Sequence, residues 1–198
     1  MNIKGILKLQ ENKLPLPRAA VIFRNIQDIP LNHLDKYGDS KKWALNGFDD
    51  RILINDSPYK IKDYKYEGFS RLELNNIFND INKKMDENKI PLANRVFLLC
   101  ESFFSWEIVF SGHAVKREEV VYIDILNSDS PYGSGRPDFS FSIALVNKKY
   151  IFNESPDEKL YPHMTKIVND LKKFDGTAYI DFTLLKDGYF FYHNLSMH

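Results

Sequence analysis

The chain has 198 residues, 43% of them hydrophobic and 27% charged, with Lys plus Arg and Asp plus Glu both totalling 27 and no formal net charge at pH 7. That apolar content suffices for the core of one large domain or two small lobes, which excludes disorder, collagen and coiled coil. Balanced charge without a block of five like charges gives no electrostatic ground for a nucleic-acid or membrane-surface partner.

The single Cys100 forms no internal disulfide, and Gln10, Glu11 and Asn12 interrupt the start where a signal peptide needs an unbroken apolar stretch. A reducing cytoplasm is the expected location. Apolar runs such as Val96 to Cys100 fall far short of the roughly 18 residues that a membrane span requires.

In chain order, Gly5 to Asn12 reads as a short helix stopped by Pro15 and Pro17, because each proline bars the α region to the residue before it. Arg18 to Phe23 reads as a strand. Residues 30 to 50, rich in Asp, Asn, Gly and Lys, read as a surface loop, and Arg51 to Ile54 as a second short strand. Ser70 to Lys89 is the clearest helix, with Leu74, Ile77, Phe78, Ile81 and Met85 on one face and a capping box from Ser70 to Glu73. Asn88 to Asn94, with Pro91, makes a hinge between a lobe of residues 1–93 and a lobe of residues 94–198.

The second lobe is mostly β. Arg95 to Cys100 is a buried strand; Trp106, Ile108 and Phe110 alternate with polar neighbours; Val120 to Leu126 follows a charged turn; Phe139, Phe141 and Ile143 alternate again. A helix carries Leu160, Met164, Ile167, Val168 and Leu171 on a stripe. Either it begins at Ser155 and kinks at Pro162, or Pro162 lies at its first position. Asp175-Gly176 stops it. The expected fold class is α+β, mainly antiparallel sheets with a few helices.

The last segment, Thr177 to Lys186, Asp187-Gly188 and Tyr189 to Asn194, predicts a β-hairpin, since Asp-Gly suits a two-residue type I′ turn. That loop pairs Lys186 with Tyr189, Thr183 with Tyr192 and Asp181 with Asn194. Alternation then puts Ile180, Phe182, Leu184, Phe191 and His193 on one face and Asp181, Thr183, Tyr192 and Asn194 on the other. Asp181 and Asn194 side by side offer two hard oxygen donors, a pair suited to Mg²⁺, which keeps its other positions for water and phosphate. An ordinary half-solvated sheet face is the plain alternative. Other chemistry finds no pattern: no His-x-x-x-His or Cys-x-x-Cys for zinc, no Gly-x-Ser-x-Gly elbow, and Gly133-Ser134-Gly135 lacks the Gly-Lys-Ser/Thr ending of a phosphate loop. His113 and His193 read as structural histidines.

A helix, a glycine, a strand with an acid, an Asp-Gly turn and a final strand ending in Asn together resemble the closing segment of ATP-grasp proteins. Further pieces resemble the nucleotide-binding domain of pyruvate phosphate dikinase and phosphoenolpyruvate synthase. These are Lys4-Gly5 with Leu9 and Leu14 to Pro17; Arg51 with Ser57, Asp63 and Gly68-Phe69-Ser70; Val96 to Glu101; Ser111 to Ala114; Val121 to Asp124; Gly135 to Phe139; and Ile180-Asp181-Phe182. Departures accompany them. Ile52 and Leu53 replace two serines, Cys100 or Glu101 stands at the adenine hinge in place of Gln, and Tyr192 falls where other branches carry a metal-binding carboxylate.

The resemblance implies a two-lobed ATP-grasp-like protein using ATP and Mg²⁺. It places Lys4 and Arg51 on the phosphates as the catalytic cations, Cys100 and Glu101 at the adenine, and Asp181 with Asn194 on the metal. It implies a phosphotransferase, kinase-like, or a carboxylate ligase. The acceptor is a small molecule or a phosphoacceptor protein, including a partner supplying a phosphohistidine. The alternatives are a catalytically degenerate module working through protein contacts and an unrelated α+β protein.

Overall fold

The computed structural model describes residues 3–30, 32–37, 41–51, 64–103, 105–118, 120–127, 139–146, 149–152 and 158–197. The expected strand over residues 52–54, Ser57, Asp63, the Gly133-Ser134-Gly135 turn and Ser155 lie outside them. The fold is α+β, with two antiparallel sheets, and it divides into two compact units: Pro17–Phe103, and Met1–Leu16 together with Phe104–His198.

The Pro17–Phe103 unit has a four-stranded sheet of β1 (Val21–Phe23), β2 (Trp43–Asp49), β3 (Lys65–Phe69) and β4 (Arg95–Glu101) in the order β1-β4-β2-β3. Helix α2 (Leu74–Glu87) buries Leu74, Ile81 and Met85 in one cluster with Trp43, Leu45, Phe97 and Leu99. Its start is held as the capping box predicts: the Ser70 amide donates to the Glu73 carboxylate at 2.8 Å. Its end is pinned by the buried Arg95, which donates to the Ile90 carbonyl at 3.0 Å and to Asn82 Oδ1 at 3.1 Å.

Strand β2 corrects the expected surface loop over residues 30 to 50. Trp43, Ala44, Leu45, Asn46 and Phe48 are all buried, since β2 lies between β3 and β4. Asn46 and Gly47 interrupt the apolar run, so composition reads as a loop where the chain forms an inner strand.

The other unit has a six-stranded sheet of β5 (Ile108–Arg117), β6 (Val120–Asn127), β7 (Phe139–Val146), β8 (Lys149–Phe152), β9 (Ala178–Leu185) and β10 (Phe190–Met197) in the order β10-β9-β5-β6-β7-β8. Helix α3 (Tyr161–Leu171) has Pro162 in its first turn, which selects the second of the two expected starts. Its Met164, Ile167, Val168 and Leu171 are buried, and His163 stacks on Phe190 with ring centroids 5.5 Å apart. Helix α1 (Ile3–Glu11) lies against β10, the edge strand, and the Tyr192 amide donates to the Pro15 carbonyl at 2.8 Å. The N-terminal segment thereby covers a sheet edge.

These units differ from the division into 1–93 and 94–198. Helix α1 belongs with β10 because Gly5 brings it onto the strand backbone: a Cβ there would sit 2.0 Å from the Leu195 carbonyl oxygen. Strand β4 belongs with the Pro17–Phe103 unit because it is hydrogen-bonded between β1 and β2.

The β9–β10 hairpin keeps one expected pair and changes the rest. The Leu185 amide donates to the Tyr189 carbonyl at 2.9 Å, so the loop has three residues, Lys186 to Gly188, and ends at Gly188 with φ 84°. A type I turn followed by a left-handed glycine requires that extra residue. Phe191 therefore faces Thr183 and Tyr192 faces Phe182, correcting the expected pairs of Thr183 with Tyr192 and Lys186 with Tyr189. A bulge between Tyr192 and Asn194 then shifts the register back, and Asn194 faces Asp181 as expected.

Candidate functional site

Register in the six-stranded sheet builds the site. Asn194 on β10 faces Asp181 on β9, Asp181 faces His113 on β5, and His113 faces Asp124 on β6. Cross-strand partners share a face, so these four side chains form one polar row across four strands. The opposite face is core: Phe110, Ala114, Ile123, Ile125, Ile180, Phe182, Phe190 and Tyr192 are all buried.

Asn194 Nδ2 donates to Asp181 Oδ2 at 3.0 Å, which leaves Asn194 Oδ1 buried without a hydrogen-bond partner. His113 Nε2 lies 3.3 Å from Asp124 Oδ2, and the His113 ring stacks on Tyr179 at 5.6 Å between centroids. Tyr179 shares the row's face; burial first, then the Asp181 charge, push its hydroxyl above the ordinary tyrosine range. At neutral pH that hydroxyl keeps its proton.

Asp181 and Asn194 fit Mg²⁺. The buried, unpartnered Asn194 Oδ1 beside a carboxylate is a hard-oxygen set, and Mg²⁺ is commonly held by one or two protein oxygens plus substrate phosphates. Among the described residues no cluster of three or more His, Cys, Asp or Glu side chains forms a metal cage by itself.

The structure places two further expectations differently. Tyr192, expected on the polar face, is buried in the core, where its hydroxyl donates to Asp170 on α3 at 2.7 Å. His193 and Phe191, expected on the apolar face, lie on the side of Thr183: Thr183 Oγ1 and His193 Nε2 are 3.3 Å apart. The three-residue loop moves Tyr192 and Phe191 to opposite faces from those expected, and the bulge carries His193 to the side of Asn194.

Lys4 is exposed on α1, in the same unit as the row. Arg51, Cys100 and Glu101 belong to the Pro17–Phe103 unit. Arg51 pairs with Asp49, its guanidinium 2.6 Å from the carboxylate, and the contact holds Asp49 below the ordinary carboxylate range. Asp49 faces Arg95 at one end of the β2–β4 ladder and Trp43 faces Glu101 at the other, so Arg51 and Glu101 lie at opposite ends, roughly 20 Å apart at the rise of a strand.

Glu101 is buried; its Oε1 lies 2.5 Å from Lys41 Nζ, while Oε2, 4.0 Å from Arg18, has no hydrogen-bond partner. Neighbouring Cys100 points to the other face of β4, and burial above all pushes its thiol up to about 12. These two side chains therefore do not converge on one ligand.

Sequence reading missed His113, Asp124 and Tyr179 as site residues. Tyr179 was accessible from the same strand arithmetic that located Asp181. His113 and Asp124 required knowing that β5 pairs with both β6 and β9, a register that no turn motif announces.

No protein-family model and no curated protein matches the sequence. Solved structures match the fold. The L-amino acid ligase of Bacillus licheniformis matches with a TM-score of 0.53 at 17% identity, over 99% of this chain and 42% of that one. The macrocyclase MdnC of Microcystis aeruginosa MRC, bound with precursor peptide MdnA, matches with a TM-score of 0.52 at 10% identity, over 96% and 51%. D-alanyl-alanine synthetase A of Vibrio cholerae matches with a TM-score of 0.50 at 13% identity, over 98% and 54%.

None of these three is a dikinase or a phosphoenolpyruvate synthase, so the narrower resemblance is not carried by them. The chain spans about half the length of the solved structures it matches, or less. Among the described residues no helix is long and apolar enough to cross a membrane. At these identities the likeness shows the α+β fold alone.

Proposed function

We propose that this chain binds ATP with Mg²⁺ and forms the nucleotide-binding portion of an ATP-dependent ligase that activates a carboxylate. The observation that carries this reading is the Asp181–Asn194 pair, with one amide oxygen buried and unpartnered, on the polar face of an ATP-grasp-like sheet. Ligation is preferred to phosphoryl transfer onto a partner's histidine because two of the three structures described above are a ligase and a synthetase.

Asp181 and Asn194 hold the cation, and a bound Mg²⁺ supplies charge neutralisation on the phosphates. Transfer of the terminal phosphoryl group of ATP to the substrate carboxylate would give an acyl phosphate and ADP, and an amine attacking the acyl carbon would then form the amide and release inorganic phosphate and a proton. Lys4, exposed on α1 in the same unit as Asp181 and Asn194, serves the phosphates as a donor in this reading.

Calorimetric titration with ATP and Mg²⁺ tests the reading. Saturable binding to the wild type, lost or greatly weakened in Asp181→Ala, is expected. A folded protein that binds no nucleotide at millimolar concentration overturns it.

A further inference from the structure

We infer that the acceptor is a carboxylate on an extended apolar body, held along the row of the six-stranded sheet that runs from Tyr179 to Ile151; this rests on the nucleotide reading above. In that reading the acceptor's carboxylate lies against the transferring phosphoryl group, beside Asp181 and Asn194. The rest of the acceptor must then leave along the same sheet face.

Two rows of side chains flank the polar row on that face. Toward the β9–β10 loop, Ser111 faces Thr183 and Thr183 faces Phe191, and these three are buried together with His193. That flank is closed to a ligand. On the other flank, Tyr179 faces Val115, Val115 faces Tyr122, Tyr122 faces Ala144 and Ala144 faces Ile151. Tyr122 is 49% and Ile151 56% exposed, and Tyr179 and Val115 are half-buried. This flank reaches solvent.

None of its five residues carries a charge, although Asp181, His113 and Asp124 form the row beside it. Apolar side chains scattered singly over a surface need no explanation, but here register sets two large ones in a line that begins two residues from Asp181. Neighbouring strands stand about 4.8 Å apart, so from β9 to β8 the line is roughly 19 Å long. A single small amino acid covers only its start, whereas a chain of methylenes follows it. Each methylene laid on the line leaves water, which strengthens binding by about two- to fourfold.

The test is calorimetric titration of the full chain, loaded with Mg²⁺ and a non-hydrolysable ATP analogue, with butyrate, hexanoate, octanoate and decanoate. Affinity is expected to climb about two- to fourfold per methylene in the wild type. Tyr122→Ser and Ile151→Ser, with folding checked by circular dichroism, are expected to flatten that climb. Leu72→Ser, which removes an exposed leucine from the other unit, is expected to keep it. No carboxylate binding, affinity independent of chain length, or the wild-type climb in both Tyr122→Ser and Ile151→Ser overturns the apolar line while leaving nucleotide binding intact. A wild-type protein that takes up no nucleotide overturns both.

Discussion

Tyr192 on β10 donates a hydrogen bond to Asp170 on α3 at 2.7 Å, with both residues buried on the core side of the six-stranded sheet. Lys166 and Lys173, both on the same carboxylate, lie 2.5 and 3.0 Å from its oxygens. A buried carboxylate is tolerated only when its lone pairs are occupied, so this cluster fixes how α3 lies on the sheet. It also anchors Tyr192 on the core side, opposite the face that carries Asp181 and Asn194.

Tyr192→Phe leaves the packing of the ring intact and takes one donor from Asp170. Hydrogen bonds to charged groups contribute about 1.5–3 kcal/mol, so a loss in that range is expected on urea unfolding with an unchanged slope. An unaltered midpoint would show that the two lysines alone satisfy the carboxylate.

The same carboxylate predicts an acid limb. Burial alone would raise its affinity for a proton, but hydrogen bonds from Lys166, Tyr192 and Lys173 outweigh burial and hold Asp170 below the ordinary range. A depressed folded-state value means stability that is complete above the unfolded carboxylate's range, about pH 4, and lost as pH falls through the folded value. Unfolding free energy of the wild type should therefore drop more steeply below pH 4 than that of Asp170→Asn, whose curve starts lower and runs flatter. Parallel curves would remove Asp170 from the acid response.

The contrast between Asp181 and Tyr192 shows how much of the site the sequence carried. Asp181 and Asn194 are neighbours as predicted because two deviations cancel: a loop of three residues where two were expected, and a bulge at His193. Tyr192 and Phe191 lie between those deviations and were placed on the wrong faces for that reason. Helices α2 and α3 were legible because their buried residues recur at helical spacing. Strand β2 was not, since Asn46 and Gly47 mimic a loop, nor was His113's place between two acids, which arises from pairing strands far apart in the chain.

Cys100 should be inert in the native protein. With burial raising its thiol to about 12, on the order of one molecule in ten thousand carries a thiolate at pH 8, and the side chain is buried besides. Reaction with a disulfide reagent is expected only at the rate of unfolding, accelerating with denaturant in step with loss of structure. Rapid labelling under native conditions would mean that the sheet opens locally at β4.

Gly5 ties the N-terminal helix to the strand that carries Asn194. The residue sits against the Leu195 backbone, where a Cβ would meet the carbonyl oxygen at 2.0 Å and the amide nitrogen at 2.9 Å. Neither is a side chain that can turn aside, so Gly5→Ala must push α1 off β10. Overpacking of this kind costs about 1–3 kcal/mol or more, against the small gain in helix propensity from alanine. The displacement should be visible first at the edge of the sheet: the Tyr192 amide, bonded to the Pro15 carbonyl, is expected to exchange its hydrogen faster in Gly5→Ala while amides in central β5 stay protected. Ile6→Val, which thins the same helix face without touching the strand backbone, should lower stability by about 1 kcal/mol and leave the Tyr192 amide protected. If both variants expose that amide alike, α1 is held by its apolar face alone and the close approach at Gly5 contributes nothing to seating the strand of Asn194.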